Sequence, residues 1–155
     1  MNKQKVNKET QNKPELYTVL NTGRILYLTL KKNWFDMISN GIKHEEYREI
    51  KSYWATRLLV SQDGKKLNKI DSEDICEALK YAYNDSWDDD LLNTDGIVNY
   101  DKIVFKNGYS KDAPTLVFGY KGIIVGRGKL QWGAEKNSIY FKLQLGEKLF
   151  DSTEL

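Results

Sequence analysis

The sequence predicts an α+β fold, a small curled sheet or β-barrel of five to six short strands with two to three flanking helices. Three observations point there. Leu26, Leu28 and Leu30 alternate with Tyr27 and Thr29 as a half-buried strand requires. Helical periodicity is confined to the middle of the chain, whereas the final third reads as strand and turn throughout. Gly119 stands inside an apolar run, where glycine marks a bulge or a barrel corner. Helices and strands segregated in this way argue for one α+β unit around a curled sheet.

The elements follow in order. Residues 1–22 are rich in Lys, Asn, Gln and Thr with little to bury, and read as a flexible basic N-terminal arm. After the strand at 25–30, Asn33 is placed to cap a helix, and Asp36 favours its positive end. Trp34, Met37 and Ile38 fall on one face, and Gly41 is a natural left-handed stop. A charge-dense strand is expected at 44–50. A short helix from Ser52 to Val60 puts Trp54, Arg57 and Leu58 on one face. Asp71–Tyr83 reads as an amphipathic helix with Ile75, Leu79 and Ala82 inward and Asp71 or Ser72 as cap. The aspartate-rich stretch to Gly96 reads as an exposed loop. Strands are then expected at 102–105, 115–120, 122–125, 129–132 and 138–145.

A chain of 155 residues is one domain long. Its body spans 23–150, with an insertion at about 61–99 and a C-terminal tail at 151–155. The single cysteine, Cys76, forms no internal disulfide, no signal-like pattern opens the chain, and apolar runs fall far short of the ~20 residues needed to cross a bilayer. A cytoplasmic setting with no membrane partner is expected. The net charge of +2 does not by itself announce a nucleic-acid binder. Its distribution is more telling, because the first 24 residues carry five bases against two acids, and five aspartates lie between Asp85 and Asp95. Outside these two stretches the domain is basic.

Chemistry concentrates at 41–48. Lys43, Glu46 and Arg48 lie in or beside a strand where propensity favours Val, Ile or Tyr. Alternation puts His44, Glu46 and Arg48 on one side and Glu45, Tyr47 and Glu49 on the other. Two readings stay open: a salt bridge at a barrel mouth, or a cleft in which cations meet phosphate or a base edge while the carboxylate reads an amino group. Tyr109 and Trp132 sit at turns, where a ring can be exposed for base stacking, whereas Tyr53 and Trp54 read as packing. His44 is the single histidine, and no cluster with metal-ligand spacing, no phosphate-cradling glycine loop and no nucleophilic triad order accompanies it. No metal and no cofactor is expected.

The strand Leu28-Thr29-Leu30-Lys31, the helix after it and the pattern Gly41-x-Lys43-x-x-Glu46-x-Arg48 together resemble the opening signature of the ASCH domain, a small β-barrel related to the PUA RNA-binding domain. The resemblance covers about a sixth of the chain. It implies a PUA-like barrel whose cleft is lined by this segment, with Lys31 at a position where such domains often carry a lysine. The function it implies is a nucleic-acid-binding module, RNA first, in which Lys31, Lys43 and Arg48 supply phosphate or base contacts and Glu46 positions or discriminates. The alternative is a small hydrolase acting on a modified nucleoside or on RNA, of amidohydrolase or nuclease type, with Lys43 and Glu46 in the site. Similar enzymes that cleave the acetyl amide of N4-acetylcytidine use a threonine three residues after the motif lysine. That position is Glu46 here, which argues against their mechanism. A third class is a protein-interaction module built on the aspartate-rich loop and the arm.

Overall fold

The computed structural model describes residues 15–20, 22–83, 90–91 and 96–154. A short helix α1 (Leu16–Leu20) precedes strand β1 (Ile25–Thr29), helix α2 (Lys32–Ser39) and strand β2 (Glu45–Glu49). Helices α3 (Ser52–Leu58) and α4 (Lys69–Tyr83) follow, then the two-residue strand β3 (Asp90–Leu91). Strands β4 (Lys102–Lys106), β5 (Thr115–Arg127) and β6 (Ile139–Asp151) complete an α+β fold around one curled sheet. The sheet runs β1-β4-β5-β6-β2, with β3 beside β5. β1 and β4 are parallel, and the other pairs are antiparallel.

β5 and β6 are thirteen residues each, long enough that a flat ribbon would run past the core. Instead their register shifts three times between Val117 and Gly122. Gly119 faces Gly146 there, so closely that a Cβ on Gly146 would lie 3.3 Å from the Gly119 carbonyl. Bulges at a side-chain-free crossing bend both strands together. The sheet becomes a half-barrel. Ile103, Phe105, Leu116, Ile123, Val125, Phe141 and Leu143 are buried inside the curl, together with Phe35 and Ile38 of α2 and Ala55 and Leu58 of α3. Residues of the opposite pleat, Val104, Val117 and Phe150, pack on the outside under Leu16, Val19 and Leu20 of α1. Lys102 ties α1 down by donating to the carbonyls of Val19 and Thr22.

Helix α2 ends as Gly41 predicts. Gly41 has φ +74°, its N–H donates to Ile38 O at 3.1 Å, and the Ile42 N–H donates to Met37 O at 2.9 Å, a Schellman stop. Its start differs, because the helix begins at Lys32 and no side chain caps it, so Asn33 lies within the first turn. Helix α4 also starts earlier than its periodicity implies. Asn68 Oδ1 accepts from the Asp71 N–H at 2.7 Å and is the cap, which frees Ser72 to be buried with its Oγ 2.5 Å from Ser52 Oγ of α3.

Other differences lie in the glycine-punctuated third. The two strands expected at 115–125 are one bent strand, β6 runs on to Asp151, and Leu130–Trp132 is a 3₁₀ turn ended by Gly133 at φ +102°. The expected arm falls mainly on residues 1–14, outside the described residues, but Leu16–Leu20 is helical. Most of the aspartate-rich loop also falls outside them, although Asp90–Leu91 pairs with Ile124 and Val125 rather than looping free. The expected C-terminal tail starts with a buried residue, Asp151, and continues as the turn Ser152–Glu154. No helix among the described residues is long and apolar enough to cross a membrane.

Asp151 anchors the end of β6 to α2. Ser39 Oγ donates to its Oδ2 at 2.5 Å, Lys148 Nζ donates to the same oxygen at 3.2 Å, and the Thr153 N–H and hydroxyl donate to Oδ1. Burial pushes the Asp151 carboxyl up, but these hydrogen bonds outweigh it and hold the group below its ordinary value. A depressed folded-state value stabilises above the ordinary carboxylate range, and that stability is lost as pH falls through the lowered value. Urea midpoints measured across the acid range should therefore decline for the wild type, and Asp151→Asn should be less stable at neutral pH and flatter below it.

Candidate functional site

The two edges of the sheet, β1 and β2, face each other without pairing, and a cleft of about 650 Å³ lies between them. That volume is in the range of small-ligand sites. An open edge strand exposes backbone donors and acceptors, and β2 covers its own. The Tyr47 N–H donates to Glu46 Oε1 at 2.7 Å, and Arg48 Nη1 donates to the Tyr47 carbonyl at 2.8 Å. Arg48 Nη2 reaches across to the Thr29 carbonyl of β1 at 3.3 Å. Charged residues occupy this strand because their side chains take the place of a neighbouring strand.

Lys43 enters the site directly from the α2 stop, its own N–H held by Met37 O at 3.1 Å. Its side chain is almost wholly buried, at 2% exposure, with Nζ 3.1 Å from Glu46 Oε1, 4.7 Å from the Trp34 ring centroid and 5.3 Å from that of Tyr47. Burial pushes the Lys43 ammonium below its ordinary value against the pull of Glu46, and burial likewise lowers Arg48. Arg48 Nη1 also lies 3.4 Å from Glu46 Oε1. Three donors therefore converge on one oxygen of Glu46. The other, Oε2, is buried with no hydrogen-bond partner among the described residues.

Aromatic rings wall the cleft. Trp34 comes from α2, Tyr53 and Trp54 from α3, Tyr27 from β1, Tyr109 from the β4–β5 turn, and Tyr140 from β6. Arg48 lies over the Trp54 ring at 5.0 Å, while Arg57 lies over Tyr53 at 4.4 Å and Trp54 at 5.8 Å. Lys31 and Arg57 are exposed cations at the rim, with no ion-pair partner among the described residues.

All six residues singled out from sequence, Lys31, Lys43, Glu46, Arg48, Tyr109 and Trp132, line this one cleft. Their exposures divide them. Tyr109 is open, at 93%, as its turn implies. Trp132 is not, since the 3₁₀ turn folds its ring to 7% exposure, under Lys129 Nζ at 4.1 Å and against the His44 ring at 5.6 Å. It forms cleft wall rather than an open stacking face. Conversely Tyr53, assigned to packing by its place on a short helix, is 56% exposed and lines the cleft with Trp54. The overlooked signal is the Tyr53–Trp54–Arg57 spacing, which sets a guanidinium one turn above two rings. Among the described residues no group of His, Cys, Asp and Glu is arranged to hold a metal ion.

No protein-family model matches the chain, and no curated protein or solved structure is significantly similar to it.

Removing one member of a buried ion cluster strands the others. Glu46→Met should cost about 3–5 kcal/mol in chemical denaturation. Adding Lys43→Met should recover part of that loss, because Arg48 keeps its two carbonyl partners. A double-mutant cycle showing simple additivity would mean that the pair is not coupled.

Proposed function

We propose that the protein binds single-stranded nucleic acid, RNA foremost, by taking an unpaired base into the cleft between its edge strands. The observation that carries this reading is Glu46, a buried residue in the lining of an aromatic-walled cleft with exposed cations at its rim, whose Oε2 has no hydrogen-bond partner among the described residues. A buried acceptor left unpaired costs about 1–3 kcal/mol, which a ligand N–H would recover. Trp54, Tyr53 and Tyr109 offer rings for stacking, and sequence-specific RNA recognition relies on stacking splayed bases. The half-barrel, together with the Gly41–Arg48 segment lining its cleft, also favours membership of the ASCH group of PUA-like domains.

Depth divides the work. Lys31 and Arg57, exposed at the rim, meet phosphates, whereas Lys43 is too deeply buried to do so and belongs with Glu46 at the base edge. This changes the role expected of Lys43 from its sequence position alone. In fluorescence anisotropy of labelled single-stranded RNA over a salt series, Lys31→Ala/Arg57→Ala should flatten the log–log slope by roughly 1.4, at ~0.7 per phosphate contact. Lys43→Met should weaken binding without changing the slope. An unaltered slope in the rim double variant would remove Lys31 and Arg57 from the interface.

A second reading, hydrolysis of a modified nucleoside or of RNA, draws on one observation, the buried Lys43–Glu46 pair with the ammonium pushed down beside a carboxylate. There Glu46 would act as general base on water. Binding without turnover is expected on N4-acetylcytidine and on single-stranded RNA. Product formation that Glu46→Gln abolishes would replace the binding role by catalysis.

A further inference from the structure

The two oxygens of Glu46 are not equivalent. Oε1 accepts from the Tyr47 N–H at 2.7 Å and from Lys43 Nζ at 3.1 Å, with Arg48 Nη1 at 3.4 Å. These contacts come from the residue's own strand and from the α2 stop, so the carboxylate plane is fixed before any ligand arrives. Oε2 is left as a buried point that only accepts, while its charged neighbours Lys43 and Arg48 only donate. A carbonyl oxygen brought against Oε2 sets lone pair on lone pair, with no proton between them. An amino group supplies the proton.

We propose that Glu46 is the specificity-determining residue of the cleft, and that the base it takes is amino-bearing, cytosine or adenine in preference to uracil or hypoxanthine. This rests on the binding reading above and adds to it the identity of the edge that is read. The preference belongs to the deepest substituent of the base, the exocyclic group at C4 of a pyrimidine or C6 of a purine. The aromatic walls and rim cations do not distinguish these partners, because stacking and phosphate contacts are common to all four.

The test compares oligonucleotides of equal length and charge, so that the phosphate contribution cancels. Oligocytidylate is set against oligouridylate, and an oligouridylate carrying one adenine against the same strand carrying one hypoxanthine. The wild type should favour the amino member of each pair by roughly tenfold. Glu46→Gln keeps an oxygen for the Tyr47 N–H and turns an amide NH₂ toward the ligand, so its preference should move to the keto member, with the salt slope unchanged. Equal wild-type affinity within both pairs overturns the selectivity and leaves the binding reading standing. A preference that Glu46→Gln leaves intact takes the role away from Glu46. Absence of binding to every strand overturns the binding reading itself, and the selectivity with it. Should Glu46→Gln not fold, the wild-type ratios alone still decide between amino selectivity and none.

Discussion

The bend of the β5–β6 ribbon is the constraint on which the rest of the molecule depends. Because Gly119 and Gly146 cross without side chains, the two halves of each long strand serve different parts of the sheet. The first half of β5 pairs with β4, while Gly122–Arg127 pairs with Gln144–Ile139 of β6, whose other side receives β2. Bending the ribbon therefore carries β2 round toward β1, which sits at the far end of the strand order. The edges come close enough for a guanidinium to bridge them and stay far enough apart to leave a cleft. The tight side of this crossing is Gly146, where a Cβ would press to 3.3 Å on the Gly119 backbone, so the site depends on a backbone contact distant from it in sequence.

An edge strand needs its outward backbone groups satisfied, and a cleft needs polar groups that are not already satisfied. Segment 43–48 meets both demands with three side chains. Glu46 Oε1 and Arg48 cover the Tyr47 peptide, Lys43 balances Glu46, and one carboxylate oxygen remains. A buried ion cluster of this kind is poor evidence for stability, since apolar residues of similar volume often serve a core as well or better. Its presence where strand propensity favours Val or Ile marks a position at which local rules give way to use.

The reach of sequence reasoning followed how local each determinant is. Strand β1, the Gly41 stop of α2 and the charged strand were legible because each is set by alternation or by a single φ requirement within a few residues. The same alternation put Glu46 and Arg48 on one face, whereas Lys43, of opposite parity and ahead of the strand, was reached only through the Gly41-x-Lys43-x-x-Glu46-x-Arg48 resemblance. The bent β5 was not legible, because Gly119, Gly122 and Gly126 read equally as bulges or as turns until the partner strand is known. Trp132 and Tyr53 were exchanged for a related reason. The 3₁₀ turn has no periodicity to orient Trp132, the short helix of Tyr53 fixes only which side chains share a face, and whether either ring is covered depends on the curl of a sheet assembled from residues distant in sequence.

Buried cations also order the cleft walls. The Lys43 ammonium lies over the Trp34 ring, and a Cβ on Gly133 would come 2.9 Å from that ring, so the indole packs closely against a bare backbone as well as a charge. Arg48 lies over Trp54 while reaching the Thr29 carbonyl, which ties the α3 wall to both sheet edges at once. Rings fixed in this way have little side-chain freedom left to lose, which lowers the entropic cost of any association at the cleft. Arg48, which covers the open edge of β2, therefore also fixes a wall of the cleft, and its charge serves the edge and the cleft lining together.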